Sequence, residues 1–161
     1  MAFASTQWSL VDIESRKILR VDEVDFTNYW HGEYRELIHG KFKVSKETKE
    51  TLEMVGIKEV QYSDLDYNGH MNNTYYMDVL CNYIPELADG THRVCFVRVH
   101  YSKEAPLGDK LQILRSPVIL LDDDQREIYG EKGERKYVFQ TIKADGELNI
   151  QGEFILCPVK R

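Results

Sequence analysis

Asp66, Asn68 and His70 stand at alternate positions in the run YSDLDYNGHMNNTYY, residues 62–76. In an extended segment, side chains two residues apart project to the same side. A carboxylate, an amide and an imidazole gathered there can activate water, orient it and stabilise charge. Asn72 and Asn73 follow, and then aromatic and aliphatic residues recur at helical spacing. The first turn of a helix leaves backbone N–H groups free to receive an oxygen. The combination points to hydrolysis or transfer at a carbonyl. A simpler role competes with it, because Asp, Asn and Gly also favour turns and helix caps.

The neighbouring elements must position these groups. A strand over 57–63 leads into the run. Before it, residues 44–56 read as a short helix, capped by Ser45 and stopped by Gly56. After it, Met71, Tyr75, Tyr76, Val79, Leu80 and Tyr83 mark a second helix at three- and four-residue steps. Asn72 or Asn73 caps its start and Pro85 ends it. So apolar a helix is expected to be wrapped by other elements. The remainder alternates as an antiparallel sheet. Val97, Val99 and Tyr101 share a face, a strand over 111–121 is interrupted by Pro117, and Tyr137, Phe139 and Thr141 share another face. Asp145-Gly146 is a hairpin turn, and 148–157 returns. Upstream, 8–13 reads as a strand and 21–42 as a linker. The order predicts an α+β fold, an antiparallel sheet around one long central helix.

Bulk properties exclude several classes. At 161 residues the chain suits one domain with an extension. Its formal charge is 21 minus 27, or −6, which argues against general binding to nucleic acid or anionic membranes. No apolar run approaches the roughly 18 residues of a membrane span. Cys81, Cys95 and Cys157 show no metal or redox spacing, and we read them as small buried apolar residues in a reducing cytoplasm. His31, His39, His92 and His100 have no ligand spacing, and Asp122 to Asp124 read as a solvated turn. No metal and no cofactor is expected.

Together these features carry a resemblance. A strand, D-x-N-x-H-x-N-N, a buried helix and a meander resemble the hotdog fold. More specifically, residues 44–157 resemble the C-terminal hotdog domain of acyl-ACP thioesterases, the plant and bacterial enzymes that release fatty acids from acyl carrier protein. The resemblance rests on the leading helix, SDLDYNGHMNN at 63–73, the proline at the helix end and HYSKEA at 100–105. It implies two parts: 1–43, a remnant strand of a preceding hotdog domain with its linker, and 44–161, the thioesterase domain. Family members carry two such domains, so the resemblance implies either a shortened chain or a natural single-domain relative. A domain without its sister is expected to hide the exposed face by forming a homodimer or larger oligomer.

The resemblance also assigns roles. Asp66, Asn68 and His70 match the family's D-x-N-x-H, and Glu104 matches its glutamate on the strand after the helix. Ala105 stands where many plant members have cysteine, which removes a cysteine nucleophile at that position. Either Asp66 or Glu104 acts as general base to a water, or Asp66 attacks directly through a mixed anhydride. Asn68 holds the water or the carboxylate. His70 orients a carboxylate or donates to the carbonyl or the departing sulfur. Backbone N–H groups from Gly69 to Asn73 stabilise the oxyanion, a contribution of about 2.7–4 kcal/mol per donor. Asn72 and Asn73 themselves suit capping better than chemistry. The implied partner is acyl carrier protein, whose acidic surface calls for basic docking residues; Arg93, Arg98, Lys103, Lys132, Arg135 and Lys136 are candidates. Two rival readings stand beside this one: an acyl-CoA thioesterase of the 4-hydroxybenzoyl-CoA type, and a non-catalytic hotdog domain.

Overall fold

The computed structural model describes residues 44–122, 127–128 and 131–159, together with 6, 11, 12, 14, 15, 17–20, 22 and 25. The chain divides into two compact units, 1–41 and 42–161. In the first, Val11 and Ile18 form an antiparallel bridge. The Asp12 N–H donates to the Lys17 carbonyl at 2.9 Å, closing a tight turn. Most of the strand expected over 8–13 and the linker over 21–42 lie outside the described residues, as do His31, His39, Asp123 and Asp124.

The second unit begins with Ser45, whose hydroxyl accepts the Thr48 N–H at 3.2 Å and caps helix α1, Lys46–Glu50. The helix ends there rather than at Gly56, and strand β1 runs over Glu53–Glu59. Gly56 sits at a bulge in β1. A Cβ at that position would enter the Tyr83 ring, so this glycine serves a close approach and not a helix stop. The central helical region is likewise shorter than the periodicity predicts. Helix α2 spans Tyr75–Cys81, and α3 spans Pro85–Ala88 with Pro85 in its first turn. Proline is pre-organised for that position, so Pro85 opens α3 instead of merely closing α2.

The strands that follow are β2, His92–Tyr101; β3, Lys110–Arg115; β4, Ile119–Leu120; β5, Glu127–Ile128; β6, Glu131–Lys132; β7, Arg135–Ile142; and β8, Leu148–Pro158. The main sheet has the order β1-β3-β7-β8-β2, with β4 also paired to β7, and β5 pairs with β6 apart from it. Every pairing is antiparallel. Pro117 separates β3 from β4, as its missing N–H requires. Tyr76, Leu80 and Ile84 pack with Leu111, Ile113, Phe139, Ile150, Phe154 and Leu156 in one apolar core. Thus the helical segment lies on the sheet, and the loop that precedes it is anchored at its end.

One feature departs from the sequence reading. Cys95 and Cys157 form a disulfide between β2 and β8, with Cα atoms 5.8 Å apart. The register shifts between Val94 and Phe96, and this irregularity seats Cys95 beside Cys157. Cys81 is free, and burial pushes its thiol pKa up.

Glu86 on α3 is buried, with its carboxylate 2.6 Å from Arg135 Nη1 and accepting the Tyr137 hydroxyl at 3.0 and 2.9 Å. Burial pushes the Glu86 carboxyl up, but Arg135, a backbone N–H and Tyr137 outweigh it and hold the pKa below the ordinary 4.5. Burial, then the Glu86 carboxylate, push the Tyr137 phenol up to about 12. A depressed carboxyl pKa stabilises the fold above its unfolded value and loses that stabilisation as pH falls through its folded value. Glu86→Gln is therefore expected to lower stability near neutral pH by about 1.5 kcal/mol, the low end for charged hydrogen bonds, since Arg135 is partly exposed. Thermal unfolding across pH should show that deficit shrinking below pH 4.5.

Candidate active site

After β1 the chain enters a 3-10 turn, Tyr62–Asp64. Lys58 Nζ lies 2.6 Å from Asp64 Oδ2, and the Gln61 N–H donates to the same oxygen at 2.7 Å. The D-x-N-x-H segment then folds back on itself. Leu65 and Met71 form an antiparallel bridge, the Asp66 N–H donates to the His70 carbonyl at 2.9 Å, and the Gly69 N–H donates to the Asp66 carbonyl at 3.1 Å. Asp66 Oδ1 accepts the Asn68 N–H at 2.9 Å, an Asx turn. Gly69 has φ +77, the left-handed region that glycine enters without strain. The segment is thus a tight turn, and the alternation of an extended strand does not describe it. Asp66 performs the turn role with one oxygen, while Oδ2 makes no hydrogen bond among the described residues. Asn68 is exposed, and its side chain makes none there either.

Glu104 arrives from another part of the chain, in the loop past the end of β2 at Tyr101 and not on the strand as expected. The loop 102–109, between β2 and β3, runs antiparallel to the end of the turn. His70 bridges Pro106, and the Met71 N–H donates to the Ala105 carbonyl at 2.8 Å. This register places Glu104 Oε2 3.2 Å from His70 Nε2. The imidazole is half-buried and the Glu104 carboxylate exposed. Ala105 is buried in the apolar core, with no polar side chain to offer. The structure therefore joins His70 to Glu104 directly and Asp66 to the backbone of the same turn.

The start of α2 needs a correction. Thr74 is the N-cap, with no side-chain capping bond. Asn72 acts just before it, its Oδ1 accepting the Thr74 N–H at 3.0 Å and the Thr74 hydroxyl at 2.9 Å. The N–H groups of Gly69, Met71 and Asn72 are already engaged by the carbonyls of Asp66, Ala105 and Asp64. Of the segment Gly69 to Asn73, the N–H groups of His70 and Asn73 have no acceptor among the described residues. The Asn73 carbonyl accepts the Tyr101 hydroxyl at 2.9 Å, which ties the helix start to the end of β2.

Two supporting residues escaped the sequence reading. Asn149 on β8 is fully buried; its Nδ2 donates to the Lys103 carbonyl at 2.6 Å and to the Tyr76 hydroxyl at 3.1 Å. Lys143 Nζ donates to the Glu104 carbonyl at 3.1 Å. Asn149 sits in the alternating run LNIQGEF, where a polar residue reads as facing solvent, so no sequence signal separated it. Three of the basic docking candidates are paired: Arg98 with Glu153, Lys103 with Glu147 and Arg135 with Glu86. Among the described residues no three His, Cys, Asp or Glu side chains gather as a metal site. No described helix is long and apolar enough to cross a membrane.

The family described as Acyl-ACP thioesterase C-terminal domain matches residues 45–153. Among solved structures, an acyl-ACP thioesterase from Bacteroides thetaiotaomicron VPI-5482 superposes with a TM-score of 0.64 at 18% identity, over 91% of this chain and 52% of that one. The chain thus spans about half the length of that protein. The Staphylococcus aureus protein SAV2348, solved in complex with CoA, superposes with a TM-score of 0.50 at 16% identity, over 65% of this chain and 68% of that one. A DHNA-CoA thioesterase from Staphylococcus aureus does so with a TM-score of 0.50 at 20% identity, over 65% of this chain and 72% of that one. No curated protein sequence matches the chain significantly. At these identities the superpositions establish the fold, an α+β hotdog, and leave the chemistry to the residues themselves.

Proposed function

Because the chain belongs to the family of acyl-ACP thioesterase C-terminal domains, we propose that it is a thioester hydrolase that releases fatty acid from acyl carrier protein. The observation that carries this reading is the contact between His70 and Glu104, 3.2 Å apart, on the loop that runs beside the Asp66 turn. It supplies a carboxylate and an imidazole in hydrogen-bonding reach, on the turn that also carries Asp66, whose Oδ2 makes no hydrogen bond among the described residues. In this reading a water attacks the thioester carbonyl. The new C–O bond forms as the water proton passes to a carboxylate, Asp66 or Glu104, and the C–S bond then breaks. His70 holds the Glu104 carboxylate, and the proton taken from the water passes on through the imidazole to the departing thiolate, which restores the carboxylate. Asn68, exposed at the tip of the turn, orients the water. The N–H groups of His70 and Asn73 are the donors available to the oxyanion. Direct attack by Asp66 Oδ2 through a mixed anhydride is the alternative within the same site.

The carrier is the finer part of the proposal. Family membership favours acyl carrier protein. A CoA thioester is the second reading, favoured by the fold's likeness to a protein solved in complex with CoA and to a DHNA-CoA thioesterase. Comparing kcat/KM for one acyl group on the two carriers tests this. The proposal expects at least about tenfold preference for the ACP ester, a difference of about 1.4 kcal/mol in transition-state binding. Equal or inverted values assign the chain to CoA esters. We also carry forward self-association, which the exposure of Met54 and Ile57 on the edge strand β1 supports.

A further inference from the structure

We infer that Lys143 is a positioning residue for Glu104, acting as a clamp from the β7–β8 turn; the inference rests on the hydrolase reading above. The loop 102–109 is tied to the rest of the fold on both sides of Glu104. On the N-terminal side, the Ser102 and Lys103 N–H groups donate to the Asn149 carbonyl at 2.8 and 3.1 Å, and Asn149 Nδ2 returns a bond to the Lys103 carbonyl. On the C-terminal side, the Ala105 carbonyl accepts from Met71, and Gly108 and Asp109 exchange hydrogen bonds with Val60 at 2.9 Å each. Between these ties, the Glu104 carbonyl has one partner among the described residues, Lys143 Nζ at 3.1 Å. The same ammonium lies 3.0 Å from Asp109 Oδ2, at the far end of the loop. One cation thus spans the loop, from the peptide of Glu104 to the carboxylate of Asp109. Lys143 is largely covered, and its partner Asp109 is half-buried, so water screens the contact less than it would a surface pair.

The hairpin turn makes this possible. Gly146 has φ +84, and the Lys143 N–H donates to the Glu147 carbonyl at 2.9 Å, which fixes the stem of Lys143 at the mouth of the turn. Lys143 does not touch the candidate reacting groups. It acts through the backbone of Glu104 and so through the His70 contact. A shift of about 1 Å at such a group costs up to about 100-fold in rate.

The test pairs a kinetic readout with one that needs no activity. Lys143→Met keeps the apolar stem and removes the cation; Lys143→Arg keeps the charge and donors. We expect Lys143→Met to lower kcat by about 10- to 100-fold with KM unchanged within about twofold. Amide hydrogen exchange at Met71, whose N–H bonds the loop at Ala105, should rise in that variant while exchange at Phe139 and Ile150 stays fixed. Lys143→Arg should restore both quantities towards wild type. Unchanged exchange at Met71 overturns the clamp, and so does a kcat loss that arginine leaves unrestored. If the wild-type chain hydrolyses no thioester, the hydrolase reading fails by itself, and Met71 exchange alone decides whether Lys143 holds the loop.

Discussion

Asp66→Asn is expected to lower kcat for thioester cleavage by about 10²- to 10⁴-fold, the range for loss of a general base, without unfolding the protein. The structure makes this substitution unusually clean. Asp66 Oδ1 accepts the Asn68 N–H at 2.9 Å and thereby shapes the turn. Asparagine retains an Oδ1 acceptor and can keep the Asx turn. What it loses is the charge and the basicity of the other oxygen. If Asp66 were only a turn residue, the variant would turn over at the wild-type rate. Steady-state kinetics, with thermal unfolding as the control for folding, separate the two roles. Asp66→Ala cannot do so, because it removes the turn and the base together.

Phe139→Ala is expected to cost about 3–5 kcal/mol of stability, the range for a large aromatic deleted from a packed core. Phe139 lies on β7 with no exposed surface, and its ring meets Phe154 of β8 edge-on, centroids 5.3 Å apart at 75°. Both belong to the core on which Tyr76 and Leu80 of α2 rest. Domains are stable by only about 5–15 kcal/mol, so the loss is a large fraction of the total. Chemical denaturation should show the midpoint falling with little change in slope. A loss below about 1 kcal/mol would mean that the core collapses around the deletion more completely than such sites do.

The parts of the fold that were legible in the sequence depend on local chemistry. Ser45 caps α1, Pro117 breaks the strand, and Asp145-Gly146 turns the chain with Gly146 at positive φ. Each follows from a single residue's backbone preference. The errors arose where distant residues decide. Gly56 reads as a helix stop until Tyr83 is seen lying against it. Met71 fits the helical period of Tyr75 and Val79, yet it pairs with Leu65 before the helix starts. Cys95 shows its partner only once the β2–β8 register and its irregularity are known. Nothing local marks Glu86 for burial, which follows from Arg135 and Tyr137 on β7.

The candidate site was legible in a different way. Residue types and spacing pointed to Asp66, Asn68 and His70 but assumed the wrong backbone, an extended segment where the chain makes a turn. Glu104 had no local signal and was found only through the family resemblance. Its place beside His70 is set by the pairing of the 102–109 loop with Met71, a contact no periodicity reports. Lys143 and Asn149 lie further out still, on the far hairpin, and their roles exist only in the folded chain.

Whether this chain cleaves acyl thioesters is decided by product analysis. The chain is incubated with a panel of acyl-ACP and acyl-CoA esters, and free thiol and free fatty acid are counted against time. A thioester hydrolase releases equal amounts of both from an acyl-ACP ester, over many turnovers per chain, and loses the reaction in Asp66→Asn. Release no faster than in buffer from every ester, by folded protein, would contradict the hydrolase reading.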